Sequence, residues 1–193
     1  MENPLKEFKT LLTIKYRYRE KLRQFLEYGG QTAKSLNVPS IEHLPAISYT
    51  VIYVPVPNFQ DPTYSTEHNI RATGKKPWRN GPPRSDTVWI RYKAEDKYGA
   101  MKGRKIGRVE CIMQILNLQR RQVAQVALCA IYPHLYGGKL DGPEKLPKLR
   151  KDAQPTVVEV KNILGRSHII DFGEKWAVNT RIDLNTFNTI PVA

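Results

Sequence analysis

The chain is poor in the residues that usually announce chemistry. Its 193 residues include only two cysteines, Cys111 and Cys129, and four histidines, His43, His68, His134 and His168. Two cysteines cannot build a disulfide framework. Cys129 and His134 are five positions apart and offer two ligands, whereas a structural zinc site takes four. No metal site and no cofactor are therefore expected. The chain holds no GxxxxGK[ST] phosphate loop, no GxGxxG, no GxSxG elbow and no HExxH. Gly103 and Gly107 bracket a basic run, but that spacing in a charged turn carries little information. No apolar run reaches the roughly 18 residues of a membrane-spanning helix, so no membrane partner is expected. The N-terminal segment has no apolar core of a secretory signal, and the expected compartment is reducing and intracellular.

Acid is also scarce, with 18 Asp+Glu against 31 Lys+Arg, a net charge of +13. Carboxylate catalysis around a divalent metal needs acids gathered in one place. Asp86, Asp96, Glu110 and Asp171 fall at turns or strand edges and read as ion-pair partners. Cys129 lies in an apolar run, where burial raises a thiol's pKa and makes it inert. The expectation is a protein that is not an enzyme and has no catalytic residue. An enzyme with a diverged site is the reading against which this stands.

What is present is an ordinary globular composition. The chain is 40% hydrophobic and 25% charged. Leu11, Ile14, Tyr18, Leu22 and Phe25 recur at helical spacing, and so do Leu5, Phe8 and Leu12. With Pro4 in the first turn and Gly29–Gly30 as the stop, these predict an N-terminal amphipathic helical arm over 1–30. Residues 31–193 then read as one β-rich domain. Alternation predicts strands at 46–54, ended by Pro55 and Pro57, then at 87–93, 106–116 and 123–132. Further strands are predicted around Val157–Val160, Ile163–Ile170 and Trp176–Val178, and long loops at 57–85 and 133–155. The predicted fold is mainly β, a small antiparallel barrel or sandwich with an N-terminal amphipathic helix.

The positive signal is basic charge interleaved with aromatics. The helix face carries Lys15, Arg17, Arg19, Lys21 and Arg23. The first long loop carries Arg71, Lys75, Lys76, Arg79 and Arg84 around Trp78. The turn after 87–93 carries Lys97, Lys102, Arg104, Lys105 and Arg108 beside Tyr98. Each group is able to meet several phosphates, and Trp78 and Tyr98 are able to stack on unpaired bases. A charge of +13 exceeds the roughly 2–8 that solubility asks of a small domain. The favoured partner is nucleic acid, DNA ahead of RNA, gripped through its backbone. The alternative is a protein-binding reader or scaffold that uses exposed aromatics such as Trp89 or Trp176.

The stretch 156–178, TVVEVKNILGRSHIIDFGEKWAV, resembles the C-terminal β module of fungal open reading frames associated with mobile elements, including transposases of the Kyakuja–Dileera–Zisupton type. The positions that carry the likeness are Val157, Val158, Val160, Ile163, Leu164 and Arg166, then Ile169 and Ile170, then Ala177, Val178 and Asn179. Upstream, SDTVWIRYK and GRKIGRVECIMQI are similar to that module's opening strand pair. The module in turn resembles bromo-adjacent-homology domains, which are β-rich chromatin interaction folds. The likeness covers about residues 85–190, and the expectation is the non-catalytic module alone, with an N-terminal arm of its own. It implies a non-catalytic, nuclear, DNA- or chromatin-associated role, with a protein partner in a chromatin or transposase complex. It singles out no catalytic or cage residue.

Overall fold

The computed structural model describes residues 6–7, 16–31, 34–38, 40, 43–57, 61, 63–72, 84–92, 103–135 and 146–179. In chain order these form β1 (Lys6–Glu7), a 3-10 turn (Tyr16–Tyr18), helix α1 (Arg19–Tyr28), β2 (Pro45–Tyr49), β3 (Val51–Pro57) and β4 (Ser65–Arg71). There follow β5 (Thr87–Arg91), β6 (Arg104–Leu116), β7 (Gln122–Tyr132), β8 (Lys148–Arg150) and β9 (Gln154–Glu159). A second 3-10 turn (Val160–Asn162) leads into β10 (Ile163–Arg166), β11 (Ile169–Phe172) and β12 (Lys175–Val178). The molecule is mainly β, with antiparallel pairing throughout.

Strand β6 organises the main sheet. β7 takes one whole edge of it, from Ile106↔Tyr132 to Leu116↔Gln122. β5 and β2 share the other edge, at Thr87↔Arg108 through Arg91↔Arg104 and at Ala46↔Ile115 through Tyr49↔Ile112. β9 adds outside β7, and β10 adds outside β5. The order across the sheet is thus β9-β7-β6-β5-β10. In a flat sheet the outer two strands would stand about 19 Å apart, four spacings of ~4.8 Å. Only Val160–Asn162 joins them, wound as a 3-10 turn. Even fully extended, such a link reaches at most about 15 Å. The sheet must therefore curl. Val158 of β9 and Ile163 of β10 meet in one cluster with Ile90, Val109, Ile112, Cys129 and Ile131, which marks the concave face. Among the described residues the curl does not close into a barrel, and β9 pairs with β7 alone.

The concave face is covered by the two-stranded β3–β4 ribbon, which sends in Ile52, Val54 and Ile70, with Ala72 just beyond β4. The convex face carries two further clusters. At one end Tyr18, Leu22 and Leu26 of the helical segment pack on Ala46, Met113, Ile115, Val126 and Leu128. At the other, the three-stranded sheet β11-β12-β8 brings Leu149 and Val178 onto Trp89, Ile106, Tyr132 and Leu164. The result is a layered, sandwich-like arrangement.

Helix α1 is ten residues long, too short to persist alone in water. Its stability comes from the stripe Leu22, Leu26 and the half-buried Phe25. Gly30 ends it in the left-handed region, at φ 78°, as glycine commonly does. The Gln31 N–H reaches back to the Leu26 carbonyl at 2.8 Å. The amphipathic pattern from Pro4 onward predicts one continuous helix. Instead Lys6–Glu7 are extended and pair with Ala46 and Pro45.

Three further expectations need correction. The predicted strand 46–54 is two strands, because the chain leaves β6 at Thr50 to pair with β4. Pro55 and Pro57 do not end it. They pair with Glu67 and Ser65 in a strand whose other edge is unpaired among the described residues, where a missing N–H costs nothing. The predicted loop 57–85 contains β4, and 133–155 contains β8 and the start of β9.

The ribbon is fastened to the sheet by two polar contacts. Asp86 accepts the Arg71 N–H at 2.9 Å on its carboxylate, and its own N–H donates to the Arg71 carbonyl at 3.0 Å. His68 Nδ1 accepts the Arg166 N–H at 3.2 Å, tying β4 to β10. That bond needs an unprotonated Nδ1. Burial, and secondarily the Arg166 charge, hold the His68 pKa below its ordinary 6.5. An unfolded chain therefore binds this proton first as pH falls. The contribution of His68 is fully present above about pH 6.5 and is lost as pH drops through the depressed folded value. His68→Gln is expected to flatten the fall in melting temperature between pH 7 and pH 5. A variant with the wild-type pH profile would count against this contact.

Candidate nucleic-acid interface

Curling without closure leaves a groove along the free edge of β9. Its floor is apolar, made by Ile90, Ile131 and Val158. One wall is β9 from Gln154 to Glu159. The other is built where β5 ends and β6 begins, from Arg91, Tyr92 and Lys105, with Asn162 at the end. The space is about 570 Å³. Phe25, Gln154, Thr156 and Val157 also line a second, adjoining space of about 550 Å³, together with Lys21, Gln24 and Tyr28.

The chemistry of this groove is basic and aromatic. The Lys105 ammonium lies 3.3 Å from the Tyr92 ring centroid. This is a cation–π contact on one face of the ring. Tyr92 is 52% exposed and Tyr28 is 89% exposed. Such exposure of large rings adds little to a core and is useful for contact. Among the described residues no carboxylate pairs with Lys21, Arg91 or Lys105. Glu159 is the acid on the wall, and it is bound by Lys161 at 2.9 Å. The Tyr92 N–H donates to the Gly103 carbonyl at 3.1 Å.

The sequence-predicted basic residues do not form one surface. Lys21 and Lys105 both reach the groove, from α1 and β6. Arg17 and Arg108 instead close on Glu110, whose side chain is 5% exposed. Glu110 falls in the gap between the pairs Val109↔Cys129 and Cys111↔Leu128, a bulge in β6. The same spot buries Tyr18, and burial with the Glu110 carboxylate pushes its phenol well above the usual range. These arginines thus dock the helical segment. Arg23 pairs with Glu20 on the exposed helix face at 2.8 Å, and Arg19 is exposed beside it. Arg71 ends β4 beside Asp86, and Arg84 lies three residues before β5, toward the end of that strand opposite to Arg91. Arg104 is 5% exposed, and burial lowers its pKa. Lys15, Lys75, Lys76, Trp78, Arg79, Lys97, Tyr98 and Lys102 lie outside the described residues.

The acids and thiols are placed as well. Asp86 caps backbone, Glu110 joins two arginines, and Asp171 pairs with Lys151 at 2.8 Å. Cys129 is fully buried, and burial drives its thiol pKa far up. Of the aromatics suggested for a reader, Trp89 is fully buried, while Trp176 packs edge-on to Tyr132 with Lys151 over its ring at 4.6 Å. The groove residues that sequence reasoning missed are Arg91, Tyr92, Tyr28 and β9 itself. The available signal was position: Arg91 and Tyr92 directly precede a basic turn, and Tyr28 directly precedes Gly29.

Comparison with family models, with curated proteins and with solved structures finds no match for this chain.

Proposed function

We propose that this chain is a non-enzymatic nucleic-acid-binding module, DNA- or chromatin-associated and nuclear, that grips phosphates in the groove beside β9. The observation that carries the reading is the placing of Arg91 and Lys105 on one space and of Lys21 on the adjoining one, in a chain of net charge +13. The choice of DNA and of the nucleus rests on the resemblance of 156–178 to mobile-element modules.

A protein-binding role is the second reading, favoured by the open edge of β9, since extended peptides add to such edges. Pro155 weighs against it. Pro155 pairs with Ala130, and proline fits a ladder only where its nitrogen turns away from the partner. The free edge therefore lacks an N–H at its second residue.

The test is fluorescence anisotropy of labelled DNA over a salt series. Each phosphate contact contributes about 0.7 to the log–log slope for single strands and ~0.9 for duplex. Lys21→Gln, Arg91→Gln and Lys105→Gln together are expected to flatten the slope by about 2 and to weaken binding of all sequences alike. Wild-type affinity and slope in this triple variant would remove the groove from the reading.

A further inference from the structure

We infer that the groove takes an unpaired nucleic-acid strand, with bases stacked on Tyr92 and Tyr28. This rests on the reading of the groove as a nucleic-acid site and adds the form of the ligand. The argument starts from the two rings. A duplex hides its base faces in its own stack and shows a protein phosphates, sugars and base edges. An exposed tyrosine ring has little to gain from these. An unpaired strand offers base faces, and stacking on aromatic rings in a basic groove is sequence-tolerant because every base has such a face.

Tyr92 is set up for this. Lys105 occupies one face of its ring and leaves the rest of a half-exposed ring open. The same ammonium is placed to meet the phosphate next to a stacked base. Tyr28 and Lys21 line the adjoining space together. Phe25 lies between, lining both parts.

The experiment uses the full chain with fluorescein-labelled 12-nucleotide single-stranded DNA, the matching RNA, and a hairpin duplex of the same length. The expected result is at least tenfold tighter binding to an unpaired strand than to the duplex. Tyr28→Leu and Tyr92→Leu are each expected to weaken single-strand binding about 5- to 100-fold, with the salt slope unchanged because no charge is removed. Both rings are exposed, and unchanged circular dichroism will show the variants folded. Duplex binding as tight as single-strand binding overturns the inference, as do tyrosine variants of wild-type affinity. In either case a flattened slope in the Lys21, Arg91 and Lys105 variant leaves the broader reading standing. Absence of binding to all three probes at low salt overturns both.

Discussion

Gly107→Ala is expected to lower the free energy of unfolding by ~1–3 kcal/mol, and Gly107→Val by more. Gly107 sits mid-sheet in β6, opposite Val88 on one side and Ile131 on the other. A Cβ built there would come within 2.7 Å of Ile131 Cδ1 and 2.9 Å of Ile90 Cδ1, with Cys129 Cβ at 3.4 Å. The first two atoms are ends of side chains, so an alanine is accommodated by turning two isoleucines out of their rotamers. A valine has no such escape, since its methyls reach further into the same concave core. The affected side chains, Ile90 and Ile131, also form the groove floor. Chemical denaturation with a two-state fit gives the change directly. An alanine variant as stable as wild type would show that the concave core is looser than these distances imply.

Leu22→Ala is expected to cost about 2–5 kcal/mol, the range for a buried leucine whose neighbours cannot fully collapse. Leu22 is fully buried at the centre of the helix contact, among Met113, Val126 and Leu128. A helix of ten residues has little reserve of its own. Its docking rests on this stripe and on the Arg17–Glu110–Arg108 contact behind it. A loosened α1 removes Lys21, Phe25 and Tyr28 from the groove together. Affinity should therefore fall under conditions where the sheet remains folded. Hydrogen exchange would show α1 amides losing protection before those of β6 and β7. Uniform loss of protection across helix and sheet would mean that the two form one cooperative unit.

The strands that alternation could show were legible, and those that depend on distant partners were not. Val109, Cys111, Met113 and Ile115 announce β6 as a shared face with Gly107, although the bulge at Glu110 puts Val109 in the concave cluster and Met113 and Ile115 in the convex one, and the β-branched run after Val123 announces β7. β4, STEHNIR, carries one buried aliphatic, Ile70, while His68 and Thr66 share the inward face with it. Nothing in that pattern speaks of a strand, because its partner Ile52–Val56 supplies the apolar half. Proline misled for a related reason: whether it breaks a strand depends on which edge is paired, and pairing is not written locally. The burial of Arg104 was hidden too, since charge density in sequence reads as surface. The groove was invisible for the plainest reason. It exists only because two outer strands, joined by three residues, fail to meet.

That short link also bears on how the chain reaches its fold. β9 and β10 are neighbours in sequence, yet each must find a partner made much earlier: Val158 meets Ala127, and Ile163 meets Ile90. β6 and β7, joined by the tight turn in which Asn117 and Arg121 bond at 2.8 Å, are free to zip first. The last strands then close onto both sides of that hairpin at once. Such a route is dominated by distant pairings, and folding belongs to the milliseconds-to-seconds class of β proteins, with assembly waiting on the final third of the chain.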